Sequence, residues 1–378
     1  MKSWIEKQKY LIDFTLSSLA RRKVKNLGLL AVYTLIIFLL ASVMLFTHAL
    51  RREAAAVLQN SPEVILQRMV AGRHDLIPPG YLEKIGRIRG VQKMEGRLWG
   101  YYYDSVVKAN YTFMAPSAEP IEKGRIVIGE RIAATRGIGV GNVISFRSYS
   151  GKLFSFTVAR VLSSASELVS ADLILLNEGD FRAFFEIPEG YYTDVALSVA
   201  NPQEVTNIAT KLGAQLPDSR PILREEVLRT YESIFNWREG IVLVLMAGAI
   251  FAFAIFSWEK ASGLSAEEKR EIGILKAIGW ETGDVIKMKF WEGALVSLTA
   301  FCVGYIAAYL HVFYFHSGLF EPVLKGWAVL YPRFALNPSV DGFQVATLFF
   351  FTVFPYVVST IVPIWRAAIT DPDSVMRG

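Results

Sequence analysis

Four long apolar runs constrain this 378-residue chain more than any other feature. They are Leu27 to Thr47, Ile241 to Trp258, Phe290 to Phe313 and Phe343 to Trp365. A helix needs about 20 apolar residues to cross roughly 30 Å of hydrocarbon, which is the length these runs supply. Only Glu292 and His311, near opposite ends of the third run, interrupt the pattern. Pro355 and Pro363 in the fourth run fit a membrane helix, because neighbouring helices and local adjustments satisfy the carbonyls they free. The composition is 52% hydrophobic, above the range of an ordinary soluble domain. The first run is too long for the 7–15-residue apolar core of a signal peptide, so it reads as an uncleaved span.

Lysine and arginine set the orientation. Lys2, Lys7, Lys9, Arg21, Arg22, Lys23 and Lys25 precede the first run. Lys260, Lys269, Arg270, Lys276, Lys287 and Lys289 follow the second, whereas only Lys325 and Arg333 follow the third. The positive-inside rule then puts both termini and the 259–289 loop in the cytoplasm; Arg51 and Arg52 run against it but are outnumbered. Residues 50–238 become one large segment on the outer side. The single cysteine, Cys302, lies within the third run, so the outer segment has no disulfide. The net charge of +5 is spread along the chain, with no basic block that would suggest nucleic acid.

Inside the outer segment the period of the pattern changes. Residues 78–88 (PPGYLEKIGRI) read as a short helix, with Leu82, Ile85 and Ile88 on one face. Residues 63–70, 96–105, 110–115, 124–130, 142–148, 154–162, 172–177 and 193–200 read as strands separated by turn residues. Residues 201–216 read as a helix capped by Asn201, and 225–240 as a helix leading into the second span. The segment is long enough for one domain of two lobes or for two small domains. The fold class is therefore an α-helical membrane protein of four spans, with a large mixed α+β extracytoplasmic domain between the first and second. The divisions are a cytoplasmic helix over 1–26, spans at 27–49, 239–258, 290–313 and 343–365, the outer domain at 50–238, a cytoplasmic loop at 259–289, an outer loop at 314–342 and a tail at 366–378. Residues 4–19 fit either a helix lying in the cytoplasmic interface against membrane lipid or an ordinary leader into the first span.

Catalytic signatures are missing. No GxxxxGK[ST] phosphate loop occurs, and GIGVGN at 137–142 precedes a strand, as a turn does, rather than opening a helix. His48, His74, His311 and His316 lack metal-ligand spacing, and the last two sit among Tyr309, Tyr314 and Phe315, as in an interfacial aromatic belt. Glu292 lies about one turn inside its span, where it reaches cytoplasmic water or Lys289.

Between the second and third runs stands EEKREIGILKAIGW, residues 267–280. It is too short and charged to cross a membrane and too apolar for a solvated loop. Ile272, Leu275 and Ile278 recur every three residues, and Gly279 can adopt the left-handed conformation that stops a helix. Such a short amphipathic helix suits either a groove on a soluble partner or the lipid surface.

REIGILKAIGW resembles the signature of the FtsX-like (MacB, LolC and LolE) permeases of ABC transporters, in which a run close to REIGILRALGA forms the coupling helix seated on the ATPase. The likeness continues through KFWEGALVSLTAFCVGYIAAYL and into the tail, where Pro363, Arg366, Ala367, Ala368, Asp371, Pro372 and Arg377 match the closing pattern. In the outer segment, residues 127–146 resemble the family's G-E-x-x-A-x-x-x-G-x-x-V-G-D stretch, with Asn142 in place of the last aspartate. The long aromatic 314–342 loop departs from the family. The resemblance implies a non-catalytic subunit of a bacterial inner-membrane transporter of the mechanotransmission type. A second, identical or related permease chain pairs with it, and a separate ATPase subunit carries ATP and Mg. A periplasmic adaptor or lipoprotein carrier is a further partner it allows. Export or extraction of a hydrophobic or lipidated substrate is the implied work, with control of a cell-wall hydrolase without transport as the alternative. Glu271, Ile272, Leu275, Lys276 and Ile278 are the implied contacts to the ATPase, with Gly279 as the stop. The apolar three would fill a groove on it, and Glu271 and Lys276 would pair with its charges.

Overall fold

The period-two pattern of the outer segment is realised as one mixed sheet. The computed structural model describes residues 2–59, 61–86, 88–117, 119–162, 170–230, 247–248, 251, 255, 266–320, 329–330 and 336–369. Most of the second span, the stalk from 231, the 259–265 stretch and the tail from 370 fall outside the described residues. Two units are distinguished: Met1–Ala49 with Asn236–Ser317 and Pro338–Gly378, and Leu50–Phe235 with Gly318–Asn337.

The outer unit carries β1 (Val64–Val70), β2 (Arg73–Asp75), β3 (Val91–Asp104), β4 (Ala109–Ala115), β5 (Arg125–Gly129), β6 (Val143–Arg147), β7 (Leu153–Leu162), β8 (Leu173–Leu176), β9 (Asp194–Val199) and β10 (Ser219–Leu223). Their order in the sheet is β10-β1-β9-β3-β4-β8-β5-β7-β6, with β2 beside β1. Strand β3 joins two lobes. Its first half, Val91 to Arg97, pairs with β9, and its second half, Leu98 to Asp104, pairs with β4. Each lobe has its own core. One gathers Phe113, Phe146 and Phe184, the ring of Phe113 lying 5.2 Å from each of the other two. The other gathers Val64, Leu66, Val195, Leu197, Ile208 and Leu212.

The helices of this unit are short. In chain order with those of the membrane unit, the first two being taken up below, they are α3 (Gly80–Ile85), α4 (Glu130–Arg136), α5 (Glu178–Phe185) and α6 (Val205–Gln215). Asn201 caps a single 3₁₀ turn, Pro202–Glu204, that leads into α6, its side chain accepting from the Gln203 N–H at 3.0 Å. GIGVGN is a turn between α4 and β6. Gly137 ends α4 in the left-handed conformation, and Asn142 accepts from the Gly139 N–H at 2.7 Å. Part of the 314–342 loop belongs to this unit. Leu330 packs against the aromatic core, and Asn337 donates to Glu53 at 3.2 Å.

The membrane unit contains α1 (Lys2–Arg21), α2 (Lys23–Gln59), α7 (Ala266–Ala277), α8 (Thr282–Tyr309) and α9 (Gly342–Ile369). Among the described residues, two helices, Asn26–Gln59 and Thr282–Tyr314, are long and apolar enough to cross a membrane, and Gly342–Val358 is a shorter apolar stretch. Helix α2 runs without a break from before the first apolar run through Gln59. Tyr33 on α2 donates to the Thr352 carbonyl of α9, with its ring 5.3 Å from that of Tyr356. His311 does not sit in an exposed belt. It is buried against α2, where its ring nitrogen lies 3.2 Å from Ser42 and its ring 5.4 Å from Phe38. Glu292 pairs with Lys289 at 2.5 Å, one of the two destinations its position allowed.

Gly304 lets α2 and α8 meet closely, since a Cβ there would stand 2.9 Å from the Thr34 carbonyl oxygen and 3.0 Å from Ile37. Gly304→Leu is expected to lower stability by about 1–3 kcal/mol through overpacking. Gly283→Ala, in open space on the same helix, should leave it unchanged or slightly raised. Thermal unfolding of the two variants in mild detergent checks the difference.

Candidate functional site

The 267–280 stretch folds as α7 followed by a tight stop. Gly279 has φ of 100°. Its N–H donates to the Lys276 carbonyl at 3.0 Å, and the next N–H, of Trp280, donates to the Leu275 carbonyl at 3.0 Å. This double bond is the Schellman arrangement, and its usual hydrophobic contact is present, with Trp280 packed against Leu275. Glu281 then caps α8 in extended conformation. The chain therefore reverses within a few residues, and both helices flanking the reversal are fixed to it.

The two faces of α7 differ. Ile272 is 4% exposed and packs on Val285, Trp280 and Ile286. Leu275 is 5% exposed and packs on Leu11 and Met288, flanked by Phe14 and Trp291. Opposite them, Arg270, Ile274, Ala277 and Ile278 are exposed, Ile274 at 49% and Ile278 at 69%. The expected apolar triad is thus split. A helix of 3.6 residues per turn rotates about 60° backwards with each three-residue step, so Ile278 drifts away from the face Ile272 occupies. Ile272 and Leu275 face the chain's own interior, where they cannot fill a groove on another protein. Ile278 points outward, together with Ile274, which the three-residue spacing had passed over. Lys276 is half-buried.

Glu271 also turns inward. Its carboxylate accepts from Arg22 at 2.5 Å, and from Arg21 and the Ser18 hydroxyl at 3.3 Å each. All three donors stand at the end of α1, which the sequence left open between an interfacial helix and a plain leader. The structure packs α1 across the reversal. Thr15 is fully buried, Gln8 accepts from the Trp291 indole N–H at 2.9 Å, and Phe14 stacks obliquely on Trp280 at 5.3 Å. Lys7 pairs with Asp284, in the first turn of α8, at 2.9 Å; this partner holds the Lys7 ammonium above its usual pKa. Acidic Asp284 also suits the positive end of the α8 dipole. A cleft of about 420 Å³ opens between Glu6, Lys7 and Tyr10 of α1 and Gly279, Trp280 and Asp284 of the reversal. The buried stripe Leu11, Thr15, Ser18 was readable as a helical repeat, but its two hydroxyl residues hid it from an apolar count.

Residues 239–372 match the family model described as FtsX-like permease C-terminal. An uncharacterised ABC transporter permease of Methanocaldococcus jannaschii is 22% identical over 346 residues, covering 80% of this chain and 81% of that protein. Two solved structures share lower similarity. The extracellular domain of the ABC-type transporter YknZ from Gram-positive bacteria matches with a TM-score of 0.29 and 10% identity, over 42% of this chain and 98% of that one. The periplasmic region of MacB from Actinobacillus actinomycetemcomitans matches with a TM-score of 0.30 and 11% identity, over 45% of this chain and 92% of that one. The reversal at 266–281 and the helices that follow it lie inside the matched region, so this part of the chain carries an FtsX-like permease C-terminal domain, similar to that of ABC transporter permeases.

Proposed function

We propose that this permease converts ATP binding on a separate cytoplasmic subunit into movement of its outer domain. The ATPase, holding ATP and Mg, docks on the outward face of α7. Two permease chains, alike or related, stand side by side in the cytoplasmic membrane with their termini inside. Closure of the ATPase pair draws the two reversals together, and the continuations of the first and second spans carry that motion outward. The substrate is hydrophobic or lipidated and is handled on the outer side, where an adaptor or a lipoprotein carrier receives it.

One observation carries this reading: Ile274 and Ile278 stand exposed on a reversal whose other face is locked into the chain. Apolar side chains held out at a sharp corner gain free energy by entering a partner's groove, about 25 cal/mol for each Å² of apolar surface removed from water. Work on the outer side, rather than conduction, fits the spans. Among the described residues, Ser42 pairs with His311 and Lys289 with Glu292, as buried polar groups in a packed bundle do.

Purification in mild detergent, with mass spectrometry of what is bound, should recover a nucleotide-hydrolysing subunit; its absence would sink the reading. Ile274→Asp combined with Ile278→Asp is expected to release that subunit while leaving thermal stability within about 0.5 kcal/mol, as surface changes do. Leu275→Asp should behave differently. It removes a buried leucine, worth about 2–5 kcal/mol, and buries a carboxylate in its place. Its loss should appear first as a lower unfolding temperature of the purified chain.

A further inference from the structure

The Glu271 carboxylate is spoken for inside the chain, and its partners mark a particular place. Arg22 is the single residue between the end of α1 at Arg21 and the start of α2 at Lys23. Across that corner, the Asn26 side-chain amide donates to the Leu19 carbonyl and the Asn26 N–H donates to the Arg22 carbonyl, each at 3.1 Å. Arg22 and Glu271 are 21% and 20% exposed, so water screens their 2.5 Å pair only partly. At the other end of α1, Lys7 holds Asp284, and Gln8 holds Trp291. Between the two ends, Leu11 and Phe14 pack on Leu275, Met288 and Trp280. Helix α1 is therefore fixed to α8 near its start and to α7 at its end, immediately before the first span.

We infer that Glu271 is a positioning residue: a latch that carries displacement of α7 into the α1–α2 corner, and so into the first span, instead of a contact to the ATPase. This rests on the docking reading above and deepens it. The reversal then has two outputs within this chain, directly into α8 through the Schellman turn and into α2 through the latch. Arginine suits the role because its planar fork keeps both a direction and a charge on the carboxylate, which a lysine would not. With Glu271 engaged inside the chain, Ile274 and Ile278 are left to make the apolar contact with the partner.

The test uses the full chain purified from its native membrane with whatever nucleotide-hydrolysing subunit accompanies it. Three forms are compared with the parent: Glu271→Lys, the pair Arg21→Glu with Arg22→Glu, and all three changes together. Hydrogen exchange is followed over residues 17–30, with and without ATP, alongside the amount of subunit retained. In Glu271→Lys the subunit stays bound within about twofold, exchange at the corner rises by roughly tenfold or more, and the ATP-dependent change over the first turns of α2 disappears. The arginine pair does the same, and the charge-exchanged form restores slow exchange and the ATP response. Three results overturn the latch: release of the subunit by Glu271→Lys but not by the arginine pair, an ATP response in α2 that survives Glu271→Lys, or no restoration on charge exchange. Should Glu271→Lys fail to insert, Glu271→Gln gives the same readings without the reversed charge. A parent chain that purifies with no nucleotide-hydrolysing subunit removes the docking reading and the transmitted motion with it, while slow exchange at the corner that Glu271→Lys abolishes still establishes the latch as a local fastening.

Discussion

A cytoplasmic corner can push a membrane helix only if it cannot roll about its own axis. Here the packing of Leu275 against Leu11 and Met288 prevents that roll, because it joins α7, α1 and α8 at one point. Burial of side chains of this kind contributes about 1.5–3 kcal/mol each, which is large beside the 0.3–1 kcal/mol of an exposed ion pair. The polar fastenings therefore set direction more than strength. Lys7 with Asp284 and Glu271 with Arg22 fix where along α1 each neighbour sits, while the leucines and tryptophans keep the three helices together. Without the apolar contact, a push on Ile278 would be spent turning α7 in place.

The membrane helices obey the complementary constraint, that polar groups away from water must find partners within the protein. Lys289 and Glu292 stand one turn apart on α8 and neutralise one another. Tyr33 reaches the Thr352 carbonyl, and Thr352 in turn donates back to Leu348 along its own helix. Each of these groups is anchored by a neighbour one turn away or on a facing helix, and Gly304 brings α2 and α8 close enough for such contacts. Small residues at a helix crossing favour close backbone approach where lipid supplies no hydrophobic drive. The result is a bundle whose polar content holds helices together.

Much of this was legible in the residue pattern, and what was not has identifiable causes. Strands with alternating β-branched and aromatic residues were placed to within a few positions, since period two is a strong signal over five or more residues. The first half of β3, VQKMEG, looks like a loop by composition and became strand because β9 pairs with it. Helices α4 and α5 span seven and eight residues, too few for a 3.6-residue repeat to declare itself. β2 and β10 are short edge elements defined by their neighbour β1. At the functional corner, Gly279 was readable because left-handed backbone selects glycine, whereas the orientation of α7 was not. Hydrophobicity marks Ile272, Ile274, Leu275 and Ile278 alike, and only the placement of α8 and α1 decides which two are covered. A helix with apolar residues on both sides has no unique inside until its neighbour is known.

The basic residues at the start of the chain make the same point from charge. Arg21 and Arg22 count toward the excess of positive charge ahead of the first apolar run, and as bulk charge any lysine would serve. Their contacts to Glu271 demand more, namely a donor of fixed geometry at the corner where α1 turns into α2. A single pair of residues thus meets two requirements of different kinds, one read during insertion as net charge and one expressed after folding as a directed bond. The second requirement also explains why a carboxylate belongs in the middle of a positively charged cytoplasmic surface. Left alone, the two arginines and the nearby lysines would repel one another across the break between α1 and α2. Glu271, arriving from a segment some 250 residues later in the chain, offsets that repulsion through its contacts to both arginines.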